Sequence, residues 1–284
     1  MKELFLFQQQ QKAKQLYQHH HSDKLLVLPN VWDSLSALLL EDIGYTAIAT
    51  ASAAIAFANN YDDGENIPFH ELLFILKRIA GSVTIPVTAD IESGYADNNE
   101  QLKQNIQQLI EAGIVGINIE DTDNKTETLL PVEVQSEKIK LIKEVGKELN
   151  VPLFINARTD VYLRGNNTNK LDETIKRGKA YKDAGADCFY PITMCNANDI
   201  AVIVQQLQMP INIITMPGIP SLTELENMGV ARVSLGPSFL KYAIKAMKDL
   251  AEELKNYKGL EAITSNSITS DYLKQLVQHK KINH

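Results

Sequence analysis

The chain has 284 residues, of which 44% are hydrophobic and 22% are charged, a composition typical of a globular protein with a sizeable core. The formal net charge of −7 argues against sequence-independent binding to nucleic acid, which requires clustered Lys and Arg. Two cysteines, Cys188 and Cys195, cannot form a disulfide framework or a cysteine zinc site. No apolar stretch reaches the roughly 18–20 residues that cross a bilayer. We therefore expect a cytoplasmic protein that binds neither nucleic acid nor membranes.

The chain is predicted to form a single domain with three parts. Residues 1–22 predict a polar N-terminal helix, residues 24–257 form the main body, and residues 258–284 predict a C-terminal helical appendage. The first helix ends in three consecutive histidines, His19 to His21. Adjacent residues do not share one helix face, so these imidazoles make a poor metal site, and we interpret them as a solvated helix end.

The main body alternates short apolar stretches with amphipathic helical patterns. The apolar stretches lie near residues 25–29, 46–52, 85–90, 115–120, 152–157, 187–192, 211–215 and 231–235. The helical patterns lie near residues 33–42, 68–80, 99–112, 135–149, 169–184, 197–208, 221–228 and 237–257. Near-continuous apolar strands are typical of a parallel sheet covered on both faces, and eight strand–helix units predict an α/β fold of the (β/α)8 TIM-barrel type. An open doubly wound sheet is the alternative, although no G-x-G-x-x-G follows the first strand.

Several predicted strands end in charged side chains, where a barrel has its active site. Asp90 and Glu92 follow the third strand, Glu120 ends the fourth and Arg158 ends the fifth. Because ionised side chains leave water only when they are paired or bound to a metal, we expect these groups to converge. Residues two apart on a strand point the same way, so Asp90 and Glu92 can both face the mouth. The alternative is that the acids cap loops or pair with Arg158.

The donor set and the arginine suggest what this mouth could bind. Oxygen-only ligands favour a hard cation such as Mg²⁺, whereas zinc would recruit His or Cys. The guanidinium of Arg158 could hold a substrate carboxylate through two hydrogen bonds, unless it forms a structural ion pair with Glu120 or Asp160. The small side chains of Ser52 and Ala53 either allow backbone N–H groups to approach a ligand or serve tight packing.

Six stretches of the sequence, taken in order, resemble the isocitrate lyase/phosphoenolpyruvate mutase superfamily from about Leu28 to Lys248. They read LPNVWDSLSALLLEDIGYTAIATASAA, YDDGE, PVTADIESGYAD, EAGIVGINIED, FINARTDVYL and AYKDAGADCFY. The resemblance implies a (β/α)8 barrel whose C-terminal helix is swapped between the subunits of a homodimer or homotetramer. It also implies Mg²⁺, with Mn²⁺ as an alternative, and a small 2-oxo or 2-hydroxy carboxylic acid as substrate.

The same resemblance assigns roles to individual residues. Asp90, Glu92 and Glu120 match the metal-site acids; Glu92 stands where the family usually has Asp, and Glu120 matches the acid that anchors metal-bound water. Arg158, Asp63 and Glu120 are the predicted catalytic residues, with Asp63 matching a loop aspartate near the metal that the turn YDDG alone leaves ambiguous. The predicted substrate-binding residues are Trp32, Ser52, Ala53, Tyr95 and Arg158.

One region departs from the family pattern. Lyases of the family carry a Lys-x-Cys-Gly-His type sequence after the fourth strand, with the cysteine as general acid, whereas this chain reads DTDNKTETLLPVEVQ. The gating loop of the mutases, of the Lys-Thr-x-Asn type, has only a partial counterpart in Lys125 and Thr126. Tyr95, Lys125 and Cys195 are the remaining candidates for moving protons.

The leading functional hypothesis is a Mg²⁺-dependent carbon–carbon lyase or decarboxylase that acts on a small 2-oxo or 2-hydroxy acid through a metal-stabilised enolate. One alternative is an enzyme of the phosphoenolpyruvate mutase or phosphonopyruvate type. A second alternative, from another class, is a catalytically silent barrel that binds a carboxylate.

Overall fold

The apolar stretches predicted from the sequence form a ring of parallel strands. The computed structural model describes residues 2–165 and 169–278. The strands are β1 (Leu26–Leu28), β2 (Asn30–Val31), β3 (Ile48–Thr50), β4 (Val87–Asp90), β5 (Gly116–Glu120), β6 (Thr122–Asp123), β7 (Thr128–Leu129), β8 (Phe154–Thr159), β9 (Cys188–Pro191), β10 (Asn212–Ile214) and β11 (Arg232–Ser234). The helices are α1 (Lys2–His20), α2 (Ser34–Ile43), α3 (Ser52–Ala58), α4 (Phe69–Ser82), α5 (Asn99–Glu111), α6 (Val132–Glu148), α7 (Val161–Arg164), α8 (Lys170–Asp183), α9 (Ala197–Leu207), α10 (Leu222–Asn227), α11 (Ser238–Lys255), α12 (Leu260–Thr264) and α13 (Ser270–Gln278).

The strands close into a barrel. Six of them pair in parallel in the order β2-β3-β4-β5-β8-β9, and β1-β11-β10 form a second parallel set. A parallel bridge between Phe189 and Ile211 joins β9 to β10, while β1 and β2 are one barrel strand interrupted at Pro29. The predicted (β/α)8 barrel is confirmed, and the open sheet is wrong. The pair β6–β7 is a separate antiparallel hairpin that follows β5.

The side chain of Asn30 joins the two sets of strands at their seam. Its Nδ2 donates to the backbone oxygen of Thr50 at 2.8 Å, and its Oδ1 accepts from the N–H groups of Leu235 and Gly236 at 2.9 and 3.0 Å. Asn30 therefore links the first barrel strand to the second and to the loop after the eighth. This polar residue at a strand end serves closure of the barrel.

Helix α1 covers the amino-terminal end of the barrel. Ala13, Leu16 and His20 share one face of this helix and are buried. A Cβ on Gly116, at the start of β5, would lie 2.7 Å from Leu16 Cδ2 and 3.2 Å from Thr88 Cβ, so a larger residue here would have to displace these side chains. The His20 ring lies 4.1 Å from that of Phe154 and is 2% exposed. The prediction of a solvated histidine end was wrong for His20, because it continues the apolar face of α1.

The interior of the barrel is polar above this helix, whereas most barrels of this kind are filled with branched apolar side chains. Arg232 is fully buried, and burial lowers its pKa. Its Nε donates to Ser234 Oγ at 2.9 Å and its Nη2 to Asn118 Oδ1 at 3.3 Å. Asn118 lies two residues before Glu120 on β5, so this network supports the carboxyl end of the barrel from below.

Three features extend or limit the sequence-based description. The small-residue run after β3 forms helix α3, and the altered region after β5 forms the β6–β7 hairpin; neither element was predicted. The predicted appendage contains α12 and α13, while residues 279–284 of it lie outside the described residues.

No helix within 2–165 or 169–278 is long and apolar enough to cross a membrane.

Candidate active site

The charged strand ends meet at the carboxyl-terminal mouth of the barrel. Strand register places Glu120 of β5 beside Arg158 of β8 and Asp90 of β4 beside Asn118 of β5. Because the barrel is closed and parallel, all of these side chains project toward one end. The sequence-based expectation that they converge therefore follows from the pairing of three neighbouring strands.

Arg158 is held by two carboxylates. Its Nη1 lies 2.5 Å from Glu120 Oε2, and its Nε and Nη2 donate to Asp160 Oδ1 and Oδ2 at 2.7 and 3.0 Å. Burial opposes the charge of Arg158, but Glu120 and Asp160 outweigh it and raise the pKa of the guanidinium. Burial also raises the pKa of Glu120 well above its ordinary value, against the opposing effect of Arg158. The arginine is thus a fixed cation at the mouth, with 15% of its side chain exposed.

Asp90 and Asp63 meet at the start of α3. Asp90 Oδ2 accepts hydrogen bonds from Ser52 N and Ser52 Oγ, at 3.3 and 3.1 Å. Partial removal from water and the charge of Asp90 raise the pKa of Asp63, while a hydrogen bond from Ser52 opposes that shift. The N–H of Ser52, which was predicted to bind a substrate carboxylate, thus donates to the carboxylate of Asp90. Strand β4, helix α3 and the loop after α3 thus bring Asp90, Ser52 and Asp63 together.

Glu92 departs from the strand alternation that was expected to aim it at the mouth. Strand β4 ends at Asp90, and Glu92 has a left-handed backbone with φ of +51°. Its side chain is buried, with Oε1 accepting from the Tyr95 hydroxyl at 2.8 Å and Oε2 from the Glu65 N–H at 2.6 Å. Burial and the charge of Asp63 raise the pKa of Glu92 to about 8. One oxygen of Glu92 therefore binds within its own loop, and the other binds the loop that carries Glu65.

The acids at the mouth are suitable oxygen ligands for a divalent cation, but their side chains are not arranged as a preformed binding site. Within residues 2–165 and 169–278, no three His, Cys, Asp or Glu side chains are arranged as a metal-binding set. However, Asp63, Asp90, Glu92 and Glu120 are oxygen donors, and like charges among them help to raise the pKa values of Asp63, Glu92 and Glu120. A cation would relieve that repulsion. Asp90 fits best as a direct ligand, because its hydrogen-bond donor is the neutral residue Ser52.

The remaining predicted residues are spread around this cluster. Trp32 follows β2 and packs partly buried against the core, and Ala53 lies in α3. Lys125 sits in the β6–β7 hairpin, where its Nζ lies 2.5 Å from Asp97 Oδ1 and 79% of its side chain is exposed. Cys195 follows β9 in the loop before α9.

Sequence reasoning missed Glu65, whose carboxylate binds the loop after β4. Glu65 Oε1 accepts hydrogen bonds from Ser93 N, Ser93 Oγ and Tyr95 N. It also undervalued Asp160, the bidentate partner of Arg158. The spacing of Arg158 and Asp160, two residues apart at a strand end, was the available signal for the second of these.

Comparison with known proteins places this architecture in a family. A family model described as phosphoenolpyruvate phosphomutase matches residues 16–255. The uncharacterised protein Rv1998c of Mycobacterium tuberculosis is 33% identical over 76% of this chain and 80% of its own length. A solved protein of Burkholderia cenocepacia, described as a lyase or mutase, has a TM-score of 0.86 and 31% identity over 94% of this chain and 96% of its own.

Two more distant relatives have named activities. The 2-methylisocitrate lyase of Bacillus subtilis is 25% identical over 82% of this chain and 78% of its own length. Oxaloacetate decarboxylase 2 of Pseudomonas fluorescens is 25% identical over 82% of this chain and 79% of its own length. Both names describe cleavage of a carbon–carbon bond in a small carboxylic acid.

Proposed function

Because the chain belongs to the phosphoenolpyruvate phosphomutase family, we propose that it is a metal-dependent carbon–carbon lyase or decarboxylase for a small 2-oxo or 2-hydroxy carboxylic acid. The observation that carries this proposal is the crowding of four carboxylates, Asp63, Asp90, Glu92 and Glu120, beside a fixed arginine at the barrel mouth. Such a site can hold a cation together with an anionic substrate.

Each residue has a role in this proposal. Asp90 binds the cation directly, with Glu92 and Glu120 in support, and Mg²⁺ suits the oxygen donors, with Mn²⁺ as the alternative. When bound, the cation supplies Lewis-acid polarisation of the substrate oxygen. Arg158 holds negative charge on the substrate and where it develops during cleavage, while Ser52, whose N–H and hydroxyl donate to Asp90, orients that ligand. Asp63 closes the mouth from the loop after α3.

The substituted loop after β5 favours reactions that need little protonation of the leaving group. The Tyr95 hydroxyl donates to Glu92, and Lys125 pairs with Asp97 on the exposed hairpin, so each of these two candidate acids already has a carboxylate partner. Loss of CO₂ from an oxo acid requires no general acid for the leaving group. Decarboxylation is therefore the reaction that best suits these residues, with cleavage of a 2-hydroxy acid second.

The test is a panel of acids incubated with purified protein and Mg²⁺. We expect turnover of oxaloacetate, 2-methylisocitrate or an alkylmalate, detected as pyruvate, CO₂ or the matching acid product. EDTA should abolish it, and Mg²⁺ or Mn²⁺ should restore it. Turnover that survives EDTA would contradict the proposed use of a metal, and no turnover of any acid in the panel would contradict the lyase assignment.

The two alternatives have separate signatures. A mutase would interconvert phosphonopyruvate and phosphoenolpyruvate, which phosphorus NMR distinguishes directly; the family description motivates this arm. A silent binding barrel would bind oxalate or pyruvate in calorimetry without turning over any acid. Either result would replace the lyase proposal.

The proposal includes an oligomer whose C-terminal helix is swapped between subunits, in the cytoplasm. Helix α11 follows the eighth barrel strand, where a barrel helix normally packs on its own strands. None of its residues is buried within the chain, although its sequence is strongly amphipathic. A neighbouring subunit that receives this helix would bury its apolar face, in either a homodimer or a homotetramer.

A further inference from the structure

Two loops at the mouth are joined by a reciprocal set of hydrogen bonds, which we call the carboxylate clasp and define as Glu65, Glu92, Ser93 and Tyr95. The Glu65 N–H donates to Glu92 Oε2 at 2.6 Å. In return, Glu65 Oε1 accepts from Ser93 N at 3.1 Å, from Ser93 Oγ at 2.7 Å and from Tyr95 N at 2.8 Å. The Tyr95 hydroxyl donates to Glu92 Oε1 at 2.8 Å. Each loop thus binds the backbone of the other through a carboxylate.

The clasp holds its own residues in backbone conformations that side-chain-bearing residues avoid. Glu65, Glu92 and Tyr95 have φ angles of +60°, +51° and +54°. Left-handed backbone brings Cβ against the following carbonyl and persists only where surrounding contacts over-determine it. Three such residues in one contact set indicate that the tertiary hydrogen bonds, rather than local preference, fix the shape of both loops.

Close packing explains only part of this shape. Ile67 is buried, and the Tyr95 ring lies 5.7 Å from that of Phe69, so apolar contacts restrain one side of both loops. The other side borders a cavity of about 490 Å³, whose lining includes Glu65, Ser93 and Tyr95. The hydrogen bonds of Glu65 restrain residues 60–67 on the side that borders this cavity.

The clasp is connected to the acid cluster at three points. Glu65 follows Asp63 by two residues, Glu92 follows Asp90 by two, and the backbone oxygen of Glu92 accepts from Glu120 N at 2.8 Å. We propose that Glu65 is a positioning residue that holds Asp63 over the mouth by anchoring its loop to the loop after β4. This inference rests on the proposed function, since it requires Asp63 to act on a bound substrate.

The test begins with Glu65→Ala, which removes the acceptor for all three donors. We expect kcat to fall about 100-fold, the scale expected when a catalytic group is displaced by about 1 Å, with a smaller change in KM. Glu65→Gln retains an acceptor oxygen and should recover most of the loss. Tyr61→Phe is the matched control, because it removes the hydrogen bond to Glu71 at the other end of the same loop and should leave kcat within about threefold.

A double-mutant cycle with Asp63→Asn separates positioning from general loss of structure. If Glu65 acts through Asp63, Asp63→Asn should lower kcat strongly in the wild type but less than about threefold in the Glu65→Ala background. Fully multiplicative losses would overturn the proposal. If Glu65→Ala does not fold, the cycle is run with Ser93→Ala, which removes only the Oγ donor.

Amide hydrogen exchange keeps this inference separate from the proposed reaction. Exchange across residues 60–67 should rise in Glu65→Ala and remain at the wild-type level in Tyr61→Phe. If wild-type protein turns over none of the acids, the proposed function fails, and unchanged exchange in Glu65→Ala would overturn the clasp as well. Raised exchange in that case would retain the anchoring role of Glu65 and remove only its catalytic consequence.

Discussion

Arg158 combines two demands at one position, because the same guanidinium faces the mouth and neutralises buried acids. Its Nε and Nη2 are committed to Asp160, and its Nη1 lies against Glu120. A planar fork can meet both carboxylates at once, whereas the point charge of a lysine cannot. The ion pairs that were considered as an alternative to substrate binding are therefore present, and they orient the residue for that purpose.

This geometry predicts that Arg158→Lys is not a conservative substitution. We expect Arg158→Lys to lower kcat/KM by a factor that corresponds to about 2–4 kcal/mol of lost transition-state stabilisation, because the fixed donors at the mouth are lost. Arg158→Met should also destabilise the fold by about 3–5 kcal/mol, since it leaves two nearly buried carboxylates unpaired. Steady-state kinetics and urea unfolding measure the two effects.

Arg177→Lys is the matched control for Arg158. Arg177 is more deeply buried, with 7% of its side chain exposed, and it pairs with Asp121 and Glu173, behind the strands and outside the acid cluster. Arg177→Lys should lower the free energy of unfolding while leaving kcat/KM of the folded fraction close to the wild-type value. Equal losses of kcat/KM in the two lysine variants would contradict a specific role for Arg158.

At the scale of single residues, the sequence predicts those site residues whose side-chain direction is fixed by regular secondary structure. Glu120 and Asp121 are adjacent acids, and strand alternation sends the first to the mouth and the second outward to Tyr181 and Arg177. Glu65 was missed, and the orientation of Glu92 was not foreseen, because both residues lie in loops with left-handed backbone. Their contacts depend on where two distant loops meet, which no local pattern encodes.

At the scale of elements, helix α1 shows how a polar-looking segment can act as a structural cap. Burial and the charge of Arg232 lower the pKa of His20 to about 3, from an ordinary value of 6.5. The folded state thus keeps His20 neutral in a range where the unfolded chain binds a proton. The stability that His20 contributes is fully present above about pH 6.5 and is lost as the pH falls toward 3.

We therefore predict that His20→Leu flattens the acid limb of the stability curve. Between pH 6.5 and 4, the wild-type free energy of unfolding should fall faster than that of the variant by at most about 1.4 kcal/mol per pH unit. Urea unfolding at several pH values measures the difference. His21→Leu, at the exposed residue that follows the helix, is the control for loss of a neighbouring imidazole; parallel curves for wild type and His20→Leu would contradict the burial of a neutral imidazole.

At the scale of the whole molecule, the order of strands and helices could be predicted because each unit repeats the same change of period, from apolar runs to 3.6-residue spacing. Closure of the ring follows from eight such units and from the Asn30 seam. The elements that were missed, α3 and the β6–β7 hairpin, are short and lie between barrel units, where tertiary contacts decide the conformation. The periodicity of α11 does not distinguish a face covered within the chain from one that is left uncovered, and only the family resemblance pointed to a swapped helix.

That uncovered face gives the last prediction, which concerns assembly. Ile244, Met247 and Leu254 of α11 are large apolar side chains that share one helix face, with exposed fractions of 48%, 62% and 37%. Contiguous apolar surface of this kind marks an interaction site in a soluble protein. We expect the wild type to be a dimer or tetramer in light scattering, and Met247→Glu combined with Leu254→Glu to shift it toward the monomer. Lys248→Glu places a new charge on the same helix at an already charged position and should leave the oligomer intact. A monomeric wild type at micromolar concentration would show that this face has no partner copy and would remove the swapped helix from the account.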